Sequence, residues 1–262
     1  MRMCGKNWRE WSLGAVTVAG VVAAFWFSPL PQDPAYHDFA DHRTLFGTPN
    51  FLNVFSNISF VLVGAFGLSK LSRLGSASLR SAYVVFCVGV VFVGLGSAYY
   101  HHSPSTLGLA WDRLAMTVAF MSLFSMVVSD RISKKFGGVI LWPLILTGVA
   151  SVGYWYWSEF QGQGDLRAYG IIQFLPMLLI PLMLLICNGK SLSTPWLWGT
   201  MGTYSLAKVA EHFDEVIYGT IGIVSGHSIK HVLGSLAVLW AIFAVLCFSR
   251  GEADTYKASV RQ

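Results

Sequence analysis

The chain has 262 residues, 54% hydrophobic and only 12% charged, where an ordinary soluble domain carries about 25% charged residues, and its mean hydropathy is +0.56. That composition excludes a soluble globular domain. The net charge of +5 gives no ground for nucleic-acid binding, since no basic patch is interleaved with aromatics on a polar domain.

Runs of about 20 apolar residues, the length that crosses a hydrocarbon core roughly 30 Å thick, occur near 11–28, 51–70, 81–101, 111–129, 137–157, 167–187, 195–213 and 221–248. The expectation is an all-α, polytopic membrane bundle of eight helices forming one domain over 1–262, with a short cytoplasmic tail at 249–262. The first run follows Arg2, Lys6 and Arg9 as a signal peptide would, but it reaches Phe27, ends rich in aromatics and lacks a small-x-small cleavage site before Pro29-Leu30-Pro31. It reads as a retained helix. With the N-terminus in the cytoplasm, the inner segments hold Arg2, Lys6, Arg9, Lys70, Arg73, Arg80, Arg131, Lys134, Lys135, Lys190, Arg250, Lys257 and Arg261; the outer ones hold Arg43, Arg113 and Arg167. Basic residues favour the cytoplasmic side, and one span more or fewer would destroy this alternation. Both termini are then cytoplasmic, and the compact loops suit a bacterial inner membrane. Cys4, Cys87, Cys187 and Cys247 show no CxxC spacing and read as packing residues.

In chain order, the first polar cluster is YHDFADHRTLFGTPNFLNVFSN, before and into the second span. Asn53 and Asn57 lie four apart and are expected to hydrogen-bond neighbouring helices. The Asn57-Ile58-Ser59 sequon lies within the span, out of reach of glycosylation. Ser97 and His101 share a face at the outer end of the third span, because residues four apart on a helix stand one above the other. Asp112 opens the fourth span at the same level. In SGHSIKH, His227 and His231 are again four apart, one to two turns into the last span, whose start is also outer. His102 is a neighbour off the Ser97 face. Lys208 and Lys230 are the embedded lysines, and a Glu211–Lys230 ion pair between helices is expected rather than direct catalysis by Glu211.

Polar side chains inside a membrane are costly and mark function by default. Three neutral imidazoles leaving a fourth position for water form a catalytic zinc arrangement, with Asp112 placed to orient a histidine or accept a proton. Each piece has a bland alternative: a lone histidine at a helix end is usually a packing residue. The joint pattern favours the metal. A di-histidine haem site would leave Ser97 and Asp112 without a role, and a transporter would distribute its carboxylates across the full membrane.

The pattern S97xxxH101, Asp112 in LAWDRLAMT and H227xxxH231 in the last helix resembles the alkaline ceramidase family of the CREST superfamily of membrane hydrolases. The likeness covers about residues 36–245, implying a seven-helix core over about 36–248 with the helix at about 11–28 as an addition. It implies zinc on His101, His227 and His231, Asp112 as base for the water, Ser97 as donor to the developing oxyanion, and the amide of a ceramide-like lipid, drawn from the bilayer, as substrate. No protein partner is implied. A zinc-containing lipid receptor, or a hydrolase of a different lipid, is the alternative within the same superfamily. Asp38 and Asp41 resemble two ligands of the family's calcium site. Asn50 stands where the family often has glutamate, Phe39 where tryptophan is expected and Arg43 where asparagine would offer an oxygen. Calcium prefers six to eight oxygens, so a calcium ion on Asp38, Asp41 and Asn50 and an internal pairing of an aspartate with Arg43 stand as alternatives.

Overall fold

The computed structural model describes residues 8–74, 77–189 and 191–260. Arg2, Cys4, Lys6, Lys190 and Arg261 therefore lie outside the described residues. The helices are α1 (Trp8–Trp26), α2 (Phe51–Phe55), α3 (Ile58–Ser69), α4 (Ala77–His102), α5 (Thr106–Arg131), α6 (Lys134–Phe160), α7 (Arg167–Ile186), α8 (Thr194–His212), α9 (Asp214–Ile221) and α10 (Gly226–Val260). Among the described residues, the sole β feature is an isolated bridge between Leu45 and Thr48. The protein is an all-α polytopic membrane bundle. By length and composition, six segments are apolar enough to cross a membrane: Phe51–Ser69, Leu79–His102, Thr106–Arg131, Lys134–Phe160, Arg167–Ile186 and Gly226–Cys247. α1 packs along α7, and α8 along α10. These two helices occupy the other expected spans but do not belong to that set of six.

Helix α5 is the axis of the bundle, packed between α4 and α6 and buried along most of its length. It starts at Thr106, earlier than hydropathy indicates, because Ser105 caps it by accepting a hydrogen bond from the Gly108 N–H. Ser133 caps α6 in the same way through Phe136 N–H. Such caps satisfy donors that the first turn leaves unpaired. At the other end of α5, Arg131, paired with the adjacent buried Asp130, donates to Thr194 Oγ1 at 2.8 Å and ties α5 to the start of α8.

Two expected helices differ in shape. The span at 51–70 is interrupted after Phe55, because Ser56 Oγ and Asn57 Nδ2 both donate to the Asn53 carbonyl, at 3.2 and 2.7 Å, competing with the helical ladder for that acceptor. The last span begins at Gly226 rather than 221. The preceding residues form the separate helix α9, ended by Gly222 at φ 71°, a left-handed conformation that glycine adopts without penalty.

Between α1 and α2, residues 27–50 run across one end of the bundle. The segment is fastened to the α6–α7 loop by Leu166 N–H to Leu30 O at 2.8 Å, Gln32 N–H to Glu159 Oε1 at 2.8 Å and Arg167 Nη1 to Phe27 O at 2.6 Å. It reaches the functional end of the molecule through Gln32, Tyr36, Phe39 and Ala40.

Candidate metal centre

His101 comes from the last turn of α4, and His227 and His231 come from the first two turns of α10. All three are buried, and one ligand nitrogen from each lies within 4.8 Å of the others. They form a cluster able to hold a metal ion. Because α10 starts at Gly226, His227 sits in its first turn, so the pair is nearer the helix end than hydropathy placed it. The chain folds this way because Gly226 allows α10 to start against α8: a Cβ there would stand 2.1 Å from the Ala210 carbonyl oxygen.

The donor set fits a small divalent cation. His101 Nε2 and His227 Nε2 are 3.2 Å apart, close to the roughly 3.3 Å between two imidazole nitrogens that share a tetrahedral zinc with bonds of 2.0–2.1 Å. His231 Nε2 is buried without a hydrogen-bond partner, while its Nδ1 is 2.8 Å from Ser56 Oγ. Since Ser56 Oγ donates to Asn53 O, it is free to accept from His231 Nδ1–H, which leaves the Nε2 lone pair for a metal. Asp214 fixes the start of α10: Oδ1 accepts from His227 N–H at 2.6 Å, and Oδ2 accepts from Ala40 N–H at 3.2 Å. Phe39 packs against the His101 and His227 rings at 4.6 and 4.9 Å.

Ser97 lies one turn before His101 on α4, and Asp112 is two turns into α5. Both are buried, and Asp112 Oδ1 is buried without a hydrogen-bond partner. α4 and α5 are close at this level: a Cβ at Gly96 would stand 3.2 Å from the Trp111 carbonyl oxygen and 3.4 Å from Asp112 Cα. Ser97, Asp112 and His231 line one cavity. Its apolar wall continues through Val93, Met116, Leu123, Ile180 and Ala241. From Leu109 to Leu123 the cavity follows α5 for about 21 Å at 1.5 Å per residue.

Glu211 accepts from Lys230 Nζ at 2.5 Å, as expected, and also from Lys208 and from Tyr36 O–H. Asn53 and Asn57 are fully buried: Asn53 Nδ2 donates to Asp41 O at 3.1 Å and its Oδ1 accepts from Ser228 Oγ on α10 at 2.7 Å, the expected bond to a neighbouring helix, whereas Asn57 departs from that expectation and donates within its own span, to Asn53 O at 2.7 Å.

The three residues weighed for calcium are otherwise engaged or apart. Both Asp41 carboxylate oxygens accept from the Arg43 guanidinium at 2.8 Å, which holds the Asp41 carboxyl below its ordinary range. Asn50 Nδ2 donates to the His101 carbonyl at 2.8 Å, linking the polar loop to the histidine cluster. Among the described residues, the three histidines are the one group of three or more His, Cys, Asp or Glu whose ligand atoms converge. The internal pairing with Arg43 is the alternative that this structure realises.

Sequence spacing missed Ser56, Asp214, Gln32 and Arg113. Ser56 had a partial signal, three residues after Asn53 in an apolar run; nothing in the sequence pairs it with a residue 175 positions away. In the sequence Arg113 reads only as an outer charge. In the structure it is 6% exposed, and burial together with the Arg113 charge lowers the pKa of nearby His37.

Residues 46–261 match the family model described as Ceramidase. An alkaline ceramidase of Drosophila melanogaster is 30% identical over 112 residues, which cover 41% of this chain and 39% of that protein. The chain thus aligns with well under two thirds of that relative.

Proposed function

The chain belongs to the Ceramidase family, and from that premise we propose that it is a zinc-dependent membrane amidase hydrolysing the N-acyl bond of ceramide-like sphingolipids to a sphingoid base and a fatty acid. The observation that carries this reading is a cluster of three buried histidines, one of which, His231, lines a long apolar cavity together with Ser97 and Asp112. An amide needs a strong nucleophile and charge stabilisation at its carbonyl oxygen, and a lipid amide needs an apolar place for its chains.

His101, His227 and His231 would hold the zinc, which when bound supplies a Lewis acid for the carbonyl and a water acidic enough to react near neutral pH. Asp112 takes the proton from the attacking water as the new C–O bond forms, and returns it to the amine nitrogen as the C–N bond breaks. Ser97 donates a hydrogen bond from its hydroxyl to the carbonyl oxygen as negative charge develops there, a contribution of roughly 3 kcal/mol by analogy with oxyanion-hole deletions. The apolar wall from Val93 to Ala241 takes a hydrocarbon chain, so that remote binding positions the carbonyl.

The lipid enters from the bilayer, and the site faces the outer side of a bacterial inner membrane, with both termini cytoplasmic. Calcium on Asp38, Asp41 and Asn50 forms no part of this proposal, because Arg43 occupies the Asp41 carboxylate.

Purified protein is tested for about one zinc per chain and for release of fatty acid from long-chain ceramide in micelles. His227→Ala and His231→Ala are expected to lose the metal and the activity together. Full zinc occupancy in both variants would overturn the ligand set; zinc binding with no hydrolysis in the parent protein would favour a lipid receptor.

A further inference from the structure

Arg113 is a buried charged group beside the candidate site that the mechanism above does not use. It follows Asp112 on α5, lines the same cavity and is 6% exposed. Its guanidinium carbon lies 4.1 Å from the Trp155 ring centroid, 4.8 Å from Tyr169 and 5.7 Å from Tyr36. Nη2 donates to Gln32 Oε1, but Nη1 has no hydrogen-bond partner. A guanidinium fixed by three aromatic rings with one donor edge unused is organised for an oxyanion.

The rest of the polar lining has the same bias. Tyr36 bridges from the Arg113 face to Glu211, whose carboxylate is shared by Lys208 and Lys230. Arg113, Lys208 and Lys230 face the cavity against Asp112 and Glu211, so three cations meet two carboxylates. Among the groups lining the cavity the cations outnumber the carboxylates by one; Glu159, which accepts from Gln32 N–H and Trp155 Nε1, lies outside that lining, and an excess charge in a largely apolar enclosure is unfavourable. A negative group on the bound molecule would balance it.

We propose that Arg113, together with the Lys208–Glu211–Lys230 cluster, forms a headgroup subsite for an anionic oxyacid group, so that the preferred substrate is an N-acyl amino-alcohol lipid carrying a sulfonate, carboxylate or phosphate near the amide. This rests on the amidase reading and narrows its substrate class. The subsite lies at the level of Asp112 and adjoins His231, so an anion held there stands a few atoms from the scissile bond. Headgroup recognition and chemistry are then served by adjacent residues of one helix.

The experiment compares kcat/KM for neutral ceramide with that for the same N-acyl base bearing a sulfonate, carboxylate or phosphate at its terminal carbon, in neutral micelles. The anionic substrates are expected to be favoured at least tenfold, and Arg113→Gln should reduce that ratio at least tenfold, mainly through KM, with Arg113→Lys recovering part of it. Lys208→Gln, on a more exposed side chain, should reduce the ratio in the same direction and serves if Arg113→Gln does not fold. Ser97→Ala should slow both substrate classes alike. Equal use of neutral and anionic substrates, or an unaltered ratio in the variants, overturns the subsite and leaves the amidase standing. Inhibition by free fatty acid that Arg113→Gln relieves, without substrate preference, assigns the cations to the product carboxylate and also overturns it. If no substrate is hydrolysed, the amidase reading fails, and titration with dodecyl sulfonate against dodecanol, read by tryptophan fluorescence, decides the subsite; equal binding of the two rejects it.

Discussion

Ser56 Oγ lies 2.8 Å from His231 Nδ1, so the break between α2 and α3 carries the hydrogen-bond partner of a histidine in the cluster able to hold a metal. The same hydroxyl donates to Asn53 O at 3.2 Å, which directs the Nδ1 proton of His231 toward Ser56 and leaves Nε2 for the metal. Losing such a support typically costs 10–100-fold in metal affinity or activity. Ser56→Ala is expected to weaken zinc binding by that order while the helical circular dichroism is kept. Competition with a chromophoric chelator measures it, and parental affinity in the variant would remove Ser56 from the metal's support.

Metal binding and chemistry should separate at Asp112 and Ser97. Neither residue is a proposed ligand, so Asp112→Asn and Ser97→Ala should retain about one zinc per chain. Turnover should fall roughly 10²–10⁴-fold for Asp112→Asn and about 10²–10³-fold for Ser97→Ala. Metal analysis alongside fatty-acid release decides this. Parental rates in both variants with zinc bound would mean that the hydrolytic mechanism is wrong.

Gly226 is a packing requirement of the site. A Cβ at this position would lie 2.1 Å from Ala210 O and 2.9 Å from Asp214 Cα, contacts that only backbone movement can relieve. Gly226→Val should destabilise the protein by about 1–3 kcal/mol, the usual scale of overpacking, and lower zinc affinity because His227 is the next residue. A thermal melt in detergent with and without zinc tests both effects.

Outside the spans, Asp165 is held by Arg167 through bonds of 2.9 and 2.8 Å and by Tyr154 O–H at 2.9 Å. Arg167 lowers the pKa of Asp165 to about 2. A carboxyl whose pKa is depressed on folding contributes stability above its unfolded value near 3.9 and loses it as pH falls through the folded value. Asp165→Asn should therefore lower the thermal midpoint at pH 7, with the difference from the parent shrinking as pH falls from about 4 toward 2. A difference that stays constant across that window would show that the ion pair is not its source.

The charge alternation makes a topological prediction. A reporter fused after Lys135 should lie in the cytoplasm, and one inserted between Tyr36 and Arg43 should lie outside. Both on the same side would overturn the eight-span arrangement and the outer placement of the site.

The apolar runs, the i, i+4 pairs Ser97–His101 and His227–His231, and the Asp112 position were legible in the sequence because helical periodicity fixes which residues of one segment share a face. The buried histidine cluster and the Glu211–Lys230 pair formed as that reading anticipated. Helix ends were less legible: hydropathy averages over a window, whereas Ser105 and Gly222 set the ends through a single hydroxyl bond and a single positive φ. Contacts between distant segments were not legible at all. Ser56 with His231, Asp214 with His227 and Gln32 with Arg113 depend on where a broken helix, a short ninth helix and the strap from α1 come to rest, and no spacing rule within one segment encodes that meeting. The chain's local chemistry thus chose the metal-capable residues, while tertiary packing, with the close approach at Gly226 that lets α10 start against α8, decided which side chains orient them and left Arg113 Nη1 buried without a hydrogen-bond partner.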